Sequence, residues 1–448
     1  MINQKKETLG IEKYFYRLLF RYLSVFIRPE DSVIEIDPRS FPISTFFKKS
    51  KRLFLNQDLN RNAGPADLTD LKQLAADDPE YLILNGVLHY ERDIVSFFRR
   101  LHKSCNRKTR VVIVYYSSLW KPLINIASFL GLRNKFPEQN WFNFRDISNM
   151  LSLTDFEPVF SDGKILAPIY FPILSNFINR YIAPLPFFRS FCMLNIIVAR
   201  PLLKNSRENL SVSVVVPARN EAGNIENLIK RVPRMGLQDE IIFVEGHSRD
   251  ATWQEIQKVS EKYGGKLKII CLKQDGEGKA DAVRKGFECA SNDIFMILDA
   301  DLSVSPEVLP DFYRAICEDK SEFINGSRMV YPHEGKAMRF YNTVGNKFFA
   351  LAFSYVLNQR FKDILCGTKV LLRDDYRRIA ENRSFFGEID PFGDFDLIFG
   401  AARLGLKIIE IPITYKERSY GTTNIRRWKH GAILLKMLLR SARKIKFV

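Results

Sequence analysis

The stretch Asn292-Asp293-Ile294-Phe295-Met296-Ile297-Leu298-Asp299-Ala300-Asp301 decides how the rest of the chain is interpreted. Its apolar run has the length of a buried strand and ends in two carboxylates, and a helix start follows at Ser305 and Pro306. In an open α/β sheet, ligands collect outside the carboxyl ends of the strands. The pattern therefore predicts that Asp299 and Asp301 lie beside a bound substrate and take part in its chemistry.

The spacing of these two acids indicates what they hold. Two carboxylates this close repel each other unless a positive charge lies between them. A hard divalent cation that also carries phosphate oxygens meets this demand, so the acids indicate Mg²⁺ or Mn²⁺ with a diphosphate. The alternative is a strand-end turn with two solvated aspartates, and the pair by itself does not separate the two.

Length and composition describe a globular chain of more than one domain. With 448 residues, two or three domains are expected, and 46% hydrophobic with 27% charged residues excludes a disordered chain. The six cysteines have no metal-like spacing, which favours a reducing cytosol. No apolar core follows the first residues, so we expect no signal peptide.

The net charge of +17 requires an anionic partner. The longest apolar run, Phe348–Leu357, is too short for a spanning helix, so we expect no bilayer crossing. Recognition-helix, zinc and RNP patterns are missing from the sequence, which argues against nucleic acid. A phosphate-bearing substrate together with an anionic membrane surface is the favoured explanation.

Residues 1 to about 200 alternate short strand-like runs with helical ones, which favours a parallel, doubly wound α/β sheet. An amphipathic helix over 11–26 is expected to cover this sheet rather than lie on a membrane. The predicted strands are 32–37, 52–56, 81–88 and 110–116, with helices at about 91–104 and 143–152.

This order resembles the class I, S-adenosylmethionine-dependent methyltransferases over roughly residues 10–200, most clearly between Tyr81 and His102. Members of that family place a glycine-rich turn after the first strand, where the backbone approaches the cofactor. The corresponding turn here, 36–42, contains no glycine. We therefore expect a degenerate methyltransferase-like domain that has lost methyl transfer, and a scaffold or partner-binding role is favoured over activity.

The end of this first half is distinctive. Residues 165–201 are apolar, aromatic and broken by proline, and they form either an interfacial or an interdomain surface. The polar stretch 202–209 has no periodicity and is predicted to be a linker. The predicted domains are therefore 1–204 and 205–448.

In the second half, three further strand-like runs end in polar or glycine-rich turns. Because parallel strands deliver their carboxyl ends to one edge, these turns and the Asp299/Asp301 tip should converge on one nucleotide-sized pocket. A glycine-rich turn that opens a helix also offers free N–H groups to an anion. The turn residues are Pro217, Ala218, Arg219, Asn220 and Glu221, then Glu245, then Lys279 and Asp281 within 276–286.

These motifs closely resemble family 2 glycosyltransferases with the GT-A fold, especially the dolichyl-phosphate-mannose-synthase-like branch, which uses polyprenyl phosphate. The resemblance covers about 212–435 and implies a nucleotide-sugar donor whose nucleoside lies between the 217–221 turn and Glu245. It implies that Asp299 and Asp301 bind the metal and that Arg418 reaches phosphate. Lys279 and Asp281 fall in the family's Gly-Lys-Gly-like loop. The two resemblances together predict two Rossmann-like domains in the whole chain.

The sequence departs from this family at several positions. Glu245, Gly246 and His247 differ from the usual acid pattern, which leaves the nucleotide base open, and Ala280 replaces a glycine. These changes support an alternative in which the site is vestigial and the chain is a scaffold. A third possibility is a bifunctional methyltransferase and glycosyltransferase.

The acceptor stays open at this stage. Asp394 and Asp396 lie where relatives that glycosylate hydroxyls keep a general base, and the sequence does not say which of the two faces the sugar. A polyprenyl phosphate is already anionic and needs no base. Arg339, Asn342 and Asn346 share one helical face that suits either a lipid phosphate or solvent.

The last residues, His430 to Val448, read as a cationic amphipathic helix. Lys436, Arg440 and Lys446 are among its cations, and each could attract an anionic lipid surface. The sequence therefore predicts a hexosyltransferase-type enzyme in the cytoplasm, held peripherally on the inner face of the membrane. Its oligomeric state stays open.

Overall fold

The computed structural model describes residues 14–38, 42–53, 77–131, 140–203, 207, 209–332, 340–385, 387, 390–418, 420 and 427–448. The chain divides into two compact units, Met1–Lys204 with Arg443–Val448, and Asn205–Ala442. The predicted second domain ran to residue 448, so its last six residues were assigned wrongly. They belong to the first unit because Ile445 is buried there and the Lys446 ammonium lies 3.3 Å from the Asp162 carboxylate.

The first unit is built on a six-stranded mixed sheet in the order β2-β1-β3-β4-β6-β5. The first four strands are parallel, as predicted, while β6 runs antiparallel to both of its neighbours. The strands are β1 (Val33–Ile36), β2 (Ser50–Leu53), β3 (Tyr81–Asn85), β4 (Arg110–Tyr116), β5 (Phe156–Lys164) and β6 (Leu194–Pro201). The sequence analysis missed β5 and β6, and β6 is the end of the stretch interpreted only as a surface.

Helices of the first unit cover the sheet with apolar faces that the sequence sets out. Asp93 caps the helix that follows β3 by accepting the Ser96 N–H at 3.0 Å, and Asn143 and Asp146 form a capping box further on. The helices are α1 (14–23), α2 (Ile94–His102), α3 (Lys121–Phe129), α4 (Phe144–Ser152), α5 (Leu174–Phe177) and α6 (Pro186–Arg189).

The second unit holds a seven-stranded mixed sheet in the order β13-β11-β12-β10-β7-β8-β9. Only β12 is antiparallel to its neighbours β10 and β11. The strands are β7 (Val212–Ala218), β8 (Asp239–Glu245), β9 (Lys268–Lys273), β10 (Ile294–Ile297), β11 (Phe323–Ser327), β12 (Lys369–Leu372) and β13 (Ile408–Pro412). The prediction of an α/β class is thus confirmed, with mixed rather than purely parallel sheets.

The register of the four parallel strands β10, β7, β8 and β9 positions the candidate site. Ile297, at the carboxyl end of β10, lies opposite Val215, and Ala218, at the carboxyl end of β7, lies opposite Glu245. Glu245 in turn lies opposite Lys273 of β9. The four carboxyl ends therefore lie along one edge of the sheet, as their polar turns predicted.

Helices of the second unit pack on both sides of a core rich in valine, isoleucine and phenylalanine. Their bounds are α7 (Ile225–Arg231), α8 (Thr252–Tyr263), α9 (Lys279–Cys289), α10 (Leu309–Cys317), α11 (Phe340–Leu357), α12 (Arg373–Glu381), α13 (Asp394–Arg403) and α14 (Arg427–Ser441). Among the described residues, no helix combines the length and the apolarity that crossing a bilayer requires.

Candidate active site

Asp299 and Asp301 follow β10, and each is ion-paired with a different cation. The Asp299 Oδ1 lies 2.6 Å from the Lys279 ammonium, and both side chains are about a quarter exposed, at 27% and 26%. The Asp301 Oδ2 lies 2.6 Å from the Arg418 guanidinium. The two acids and the two predicted phosphate-binding cations therefore meet in one place, although they come from three separate segments.

The turn that carries the acids is held in an uncommon backbone conformation. Leu302 has a φ of +56°, a region that non-glycine residues rarely adopt. The Ser303 N–H donates to Asp301 Oδ1 at 2.9 Å, and the Lys416 N–H donates to the Ser303 carbonyl at 2.9 Å. The segment that contains Arg418 is thus tied to the acid turn by backbone hydrogen bonds, which places the guanidinium beside Asp301.

Lys279 opens α9 after a tight glycine turn. Gly278 has a φ of +87°, which glycine adopts without strain, and the Gly276 N–H donates to Asp281 Oδ2 at 2.8 Å. The Asp281 carboxylate therefore holds the conformation of the loop by accepting a hydrogen bond from the loop's backbone. Its predicted role in donor binding is indirect in this geometry, whereas Lys279 points to the acids.

Gly367, in the loop before β12, has a specific place beside the ion pair. A Cβ on this residue would overlap the Asp299 carboxylate and the Lys279 ammonium. The backbone of the loop before β12 therefore covers the ion pair at van der Waals distance. Only glycine leaves both charged groups where they are.

The electrostatics of the ion pair favour charge on both partners. Burial works against the ionised carboxylate, but the charge and hydrogen bond of Lys279, together with the charges of Arg418 and Arg328, lower the pKa of Asp299 below its ordinary value. Burial likewise opposes the ammonium, yet the charge of Asp299 raises the pKa of Lys279 above its ordinary value. Both groups are therefore charged at neutral pH.

The structure separates the two acids at the start of α13. Asp396 pairs with Arg284 and lies 3.6 Å from the Arg383 Nε. Asp394 lies 3.9 Å from the Lys369 ammonium, and its Oδ1 has no hydrogen-bond partner among the described residues. Asp394 is therefore the better candidate for a general base, since Asp396 is committed to two arginines.

The charges of Lys279 and Asp299 also act on the pKa of Asp394. Burial raises the pKa of Asp394 above its ordinary value, and the charges of Lys279 and Lys369 partly offset that rise. The negative charge of Asp299 acts in the same direction as burial. A buried carboxyl group with a raised pKa, facing a cluster of charges, is the type of group that accepts or donates a proton in catalysis.

The turns after β7 and β8 are joined to each other by hydrogen bonds. Asn220, with a φ of +57°, donates its N–H to Ser248 Oγ at 3.0 Å and accepts the Arg249 N–H at 2.8 Å. Glu245 accepts the Ser248 N–H at 2.5 Å. Arg219 is exposed beside them, while Pro217 and Ala218 are the last residues of β7. These hydrogen bonds join the two predicted nucleoside-binding turns, residues 217–221 and 245–249, into one wall of the candidate site.

Glu221 connects this wall to the acid pair. Its Oε2 accepts a hydrogen bond from the Asn224 amide at 2.7 Å, and its Oε1 lies 4.0 Å from the Arg418 guanidinium. Burial raises the pKa of Glu221 to about 7, the Asn224 hydrogen bond opposes the rise, and the charge of Asp301 adds to it. Arg418 thus lies between the carboxyl groups of Glu221 and Asp301.

Asn346, one of three polar residues predicted on a single helical face, is buried rather than open to lipid or solvent. Its amide donates to Asp363 Oδ1 at 2.7 Å. Arg328 holds both Asp363 oxygens, at 2.7 and 2.9 Å. Arg339 and the side chain of Asn342 lie outside the described residues. Sequence reasoning missed Arg328, although its position directly after β11 is the same strand-end signal that identified Asp299.

The donor set fits a divalent cation only if phosphate completes it. Among the described residues there is no cluster of three or more His, Cys, Asp or Glu side chains that could hold a metal ion. Mg²⁺ is commonly bound by one or two carboxylates together with substrate phosphates and waters. Asp299 and Asp301 supply that number of carboxylates, and Lys279 and Arg418 are placed to meet the phosphates.

Residues 213–379 match the model of the family described as Glycosyl transferase family 2. This region lies within the second unit, and its match confirms the prediction of a family 2 glycosyltransferase domain there. The matched region includes Glu221, Lys279, Asp299 and Asp301, and it ends before Asp394 and Arg418.

Two curated relatives are similar to the chain. A dolichol-phosphate mannosyltransferase of Pyrococcus furiosus is 30% identical over 223 residues, which is 48% of this chain and 60% of that protein. Glycosyltransferase AglJ of Haloferax volcanii is 26% identical over 235 residues, or 52% of this chain and 72% of that protein. The chain thus spans less than two thirds of the length of the Pyrococcus relative.

Solved structures are similar at a lower level. Glucosyl-3-phosphoglycerate synthase from Mycobacterium tuberculosis, in complex with Mn²⁺ and UDP, is 17% identical, with a TM-score of 0.37 and coverage of 54% of this chain and 82% of that one. The mannosyltransferase PcManGT from Pyrobaculum calidifontis, in complex with GDP-Man and Mn²⁺, is 17% identical with a TM-score of 0.37, covering 54% and 66%.

Proposed function

We propose that residues 205–442 form a GT-A-type, metal-dependent inverting glycosyltransferase that moves a sugar from a nucleotide-diphosphate donor to a polyprenyl phosphate. The observation that carries the proposal is the alternation of charge at the edge of the second sheet. Lys279 pairs with Asp299 and Arg418 pairs with Asp301, both at 2.6 Å. Inversion and the polyprenyl acceptor rest on the family resemblance.

The ion pairs explain how a diphosphate could be accepted. Each cation neutralises one acid while no donor is bound, so neither acid is left uncompensated in a partly buried site. When a donor arrives, Lys279 and Arg418 can turn to its phosphate oxygens. Asp299 and Asp301 are then available to Mg²⁺ or Mn²⁺, which would neutralise the negative charge that develops on the leaving diphosphate.

The transfer itself breaks the bond between the sugar C1 and the diphosphate oxygen and forms a bond from C1 to an acceptor oxygen. The bonding electrons leave with the nucleoside diphosphate, whose charge Lys279 and Arg418 stabilise. A phosphate acceptor is already anionic, so it attacks without giving up a proton. The Gly367 backbone covers the Lys279–Asp299 pair, which limits the access of water to this region.

A hydroxyl acceptor in a cell-surface glycan is the second candidate, and one observation favours it. Asp394 is buried, has a raised pKa, and its Oδ1 has no hydrogen-bond partner among the described residues. A hydroxyl acceptor needs a base to take its proton, and Asp394 fits that role better than the arginine-paired Asp396.

A donor panel tests the main proposal. Purified full-length protein is incubated with nucleotide sugars and MnCl₂, with and without a short-chain polyprenyl phosphate, and nucleotide release is measured. We expect release that depends on both the metal and the lipid phosphate with at least one donor. If calorimetry detects no Mn²⁺-dependent binding of any donor, the vestigial-site alternative is supported instead.

The two acceptor classes are separated by Asp394→Asn, with Asp396→Asn as the partner variant. Transfer to polyprenyl phosphate should continue when the Asp394 carboxyl group is removed, because no proton has to be taken up. Transfer to a hydroxyl should fall by about 10²-fold or more. An Asp394→Asn protein that is folded but inactive with polyprenyl phosphate would contradict the phosphate branch.

The first unit is proposed to be a non-methylating scaffold with a degenerate methyltransferase-like fold. This is supported by Glu35, which is buried at the carboxyl end of β1 and accepts the N–H groups of Ile43 and Ser44 at 3.1 and 2.8 Å. The segment that begins at Ile43 is thereby bound to the protein's own carboxylate. Calorimetry with S-adenosylmethionine should give no binding heat. Cytoplasmic, peripheral attachment to the inner membrane face is part of the proposal.

A further inference from the structure

Large apolar side chains are exposed on one part of the first unit. Two stretches, residues 118–131 and 169–191, contain sixteen of the twenty-eight exposed large hydrophobic side chains found among the described residues. Phe129, Ile173 and Phe187 are exposed by 87%, 84% and 69%. We call these two stretches the aromatic face. Such a concentration is far from the scattered single residues that ordinary soluble surfaces carry.

The two stretches lie at one edge of the sheet. The first follows β4, the second follows β5 and leads into β6, and Tyr116 and Lys164 both lie opposite Leu194 in the register. The Trp120 indole N–H donates to the Phe191 carbonyl at 2.8 Å, which joins them directly. The aromatic face is therefore one continuous surface.

The helices of this face are oriented against the usual pattern. In α3, Ile124 is the single buried residue, while Leu123 and Ile126 are each 55% exposed. A helix that covers a soluble core would turn these side chains inward. Ile173 has a φ of +66° together with its exposed side chain, an uncommon conformation for a β-branched residue. The apolar side chains are thus presented outward by the backbone itself.

The charges around the face have one sign. The sequence contains no Asp or Glu from 94 to 137 or from 163 to 207, and the face itself carries Lys121, Arg180 and Arg189. The nearest carboxylate along β5, Asp162, is buried, with the ammonium groups of Lys164 and Lys446 at 3.0 and 3.3 Å and the half-exposed Arg189 guanidinium at 3.6 Å. The aromatic face therefore offers apolar rings and positive charge without exposed negative charge.

We propose that the aromatic face of the first unit docks on the surface of an anionic lipid bilayer. Aromatic and aliphatic side chains would enter the boundary between headgroups and acyl chains, while the cations contact lipid phosphates. The short, proline-broken helices suit a shallow position in the interface rather than a span. This goes beyond the proposed transferase activity, since it assigns membrane contact to the other unit.

The same observations weaken the earlier expectation that the cationic tail attaches the protein. Lys446 is 1% exposed and bound to Asp162, so its charge cannot meet a lipid headgroup. Lys436 and Arg440 are exposed on α14, but they belong to the second unit. The aromatic face combines apolar insertion with charge, and two such signals together give firmer attachment than either does.

Vesicle flotation tests this proposal with the full-length protein, without donor or acceptor. Vesicles are made of phosphatidylcholine, with or without phosphatidylglycerol. We expect the protein to float with the phosphatidylglycerol vesicles, and more weakly at high salt. The double variant Phe129→Asp, Ile173→Asp should bind at least about tenfold more weakly, because it puts negative charge where the face would enter the lipid.

Leu153→Asp is the matched control. Leu153 is 67% exposed in the same unit, and it precedes β5 at the end away from the face, about 30 Å along the strand. It should bind as the wild type does. Both altered positions of the double variant are already exposed, and aspartate tolerates a positive φ better than isoleucine, so the fold should be kept and is checked by circular dichroism.

Three outcomes would overturn the proposal. The wild type could stay unbound with both vesicle types, or the double variant could float as the wild type does. A wild-type dimer that the double variant converts to a monomer would assign the face to a second copy of the chain. Because the assay contains no sugar donor, each of these results leaves the proposed transferase activity standing, and an unbound wild type would remove only the proposed peripheral attachment.

Discussion

The two sheets of this protein each carry a carboxylate at the carboxyl end of a central parallel strand, and the environments differ. Glu35 of the first unit is fully buried and bound by two backbone N–H groups. Asp299 of the second unit is partly exposed and bound by a lysine side chain. A backbone partner cannot leave without unfolding, whereas a lysine can turn to another anion. A strand-end acid is therefore available for ligands only where its partner is replaceable.

The largest expected effect comes from removing the partly exposed carboxylate of the second unit. Asp299→Asn should lower transfer by about a thousandfold, or about 4 kcal/mol in activation free energy, because the leaving diphosphate loses part of its charge compensation. The rate of nucleotide release with Mn²⁺ measures it. Asp311→Asn, on the exposed side of α10, is the control and should keep full activity. An Asp299→Asn protein that keeps a tenth of the activity would contradict the assignment.

The second prediction uses the raised pKa of Glu221. The folded protein keeps a proton on Glu221 up to about pH 7, whereas the unfolded chain releases it near 4.5. Stability from this group is therefore present below pH 4.5 and lost as the pH rises to about 7. Between these values the wild type should lose about 3 kcal/mol in unfolding free energy relative to Glu221→Gln.

Denaturant unfolding at several pH values measures this difference. Glu318→Gln changes an exposed glutamate of the same unit, and its curve should run parallel to that of the wild type. If the Glu221→Gln curve also runs parallel, the burial of Glu221 does not act as described.

The buried carboxylate of the first unit is tested by Glu35→Gln. The amide that replaces one carboxylate oxygen cannot accept a hydrogen bond, so one buried N–H of Ile43 or Ser44 is left unpaired. We expect a loss of about 2 kcal/mol in unfolding free energy with transfer activity unchanged. Glu30→Gln, at an exposed site of the same unit, should change stability by less than about 0.5 kcal/mol. Equal stability of both variants would show that Glu35 is not a structural acid.

Gly367→Ala gives the smallest expected effect and tests the backbone that covers the Asp299–Lys279 pair. The added methyl group meets the tips of Asp299 and Lys279, which are flexible, so the fold should be kept. Displacing the pair should cost about tenfold in activity, or about 1.4 kcal/mol. Steady-state kinetics measure this, with Gly345→Ala as a control, since a Cβ there meets nothing within 4 Å. Unchanged kinetics for Gly367→Ala would place catalysis away from this loop.

The sequence predicted the strand ends better than the partners of their side chains. The runs before Glu221, Glu245 and Asp299 are nearly pure valine, isoleucine and phenylalanine, so period and composition identified them as buried strands. Parallel strands then had to bring these turns together. Nothing local says that Arg418, more than a hundred residues later, pairs with Asp301, because that contact depends on the backbone bonds at Ser303 and Lys416.

Two further cases mark the limit of sequence reasoning. Asp394 and Asp396 look equivalent in the sequence, and they differ only because Arg284 and Arg383 reach one of them. In the first unit β6 went unnoticed, because its apolar residues continue an aromatic stretch and no polar turn separates the two. Both the partners of Asp396 and the pairing of β6 depend on contacts between residues far apart in the sequence. Local periodicity carries no information about such contacts.

The packing of Arg443–Val448 into the first unit has a consequence for synthesis and for gene structure. The second unit is an insertion within the first, since the chain leaves one body, builds the other and then returns. During translation the earlier body therefore stays incomplete until residues 443–448 have been made. A chain cut off before residue 443 would lose the contact between Lys446 and Asp162, and so damage the portion that the ribosome made first.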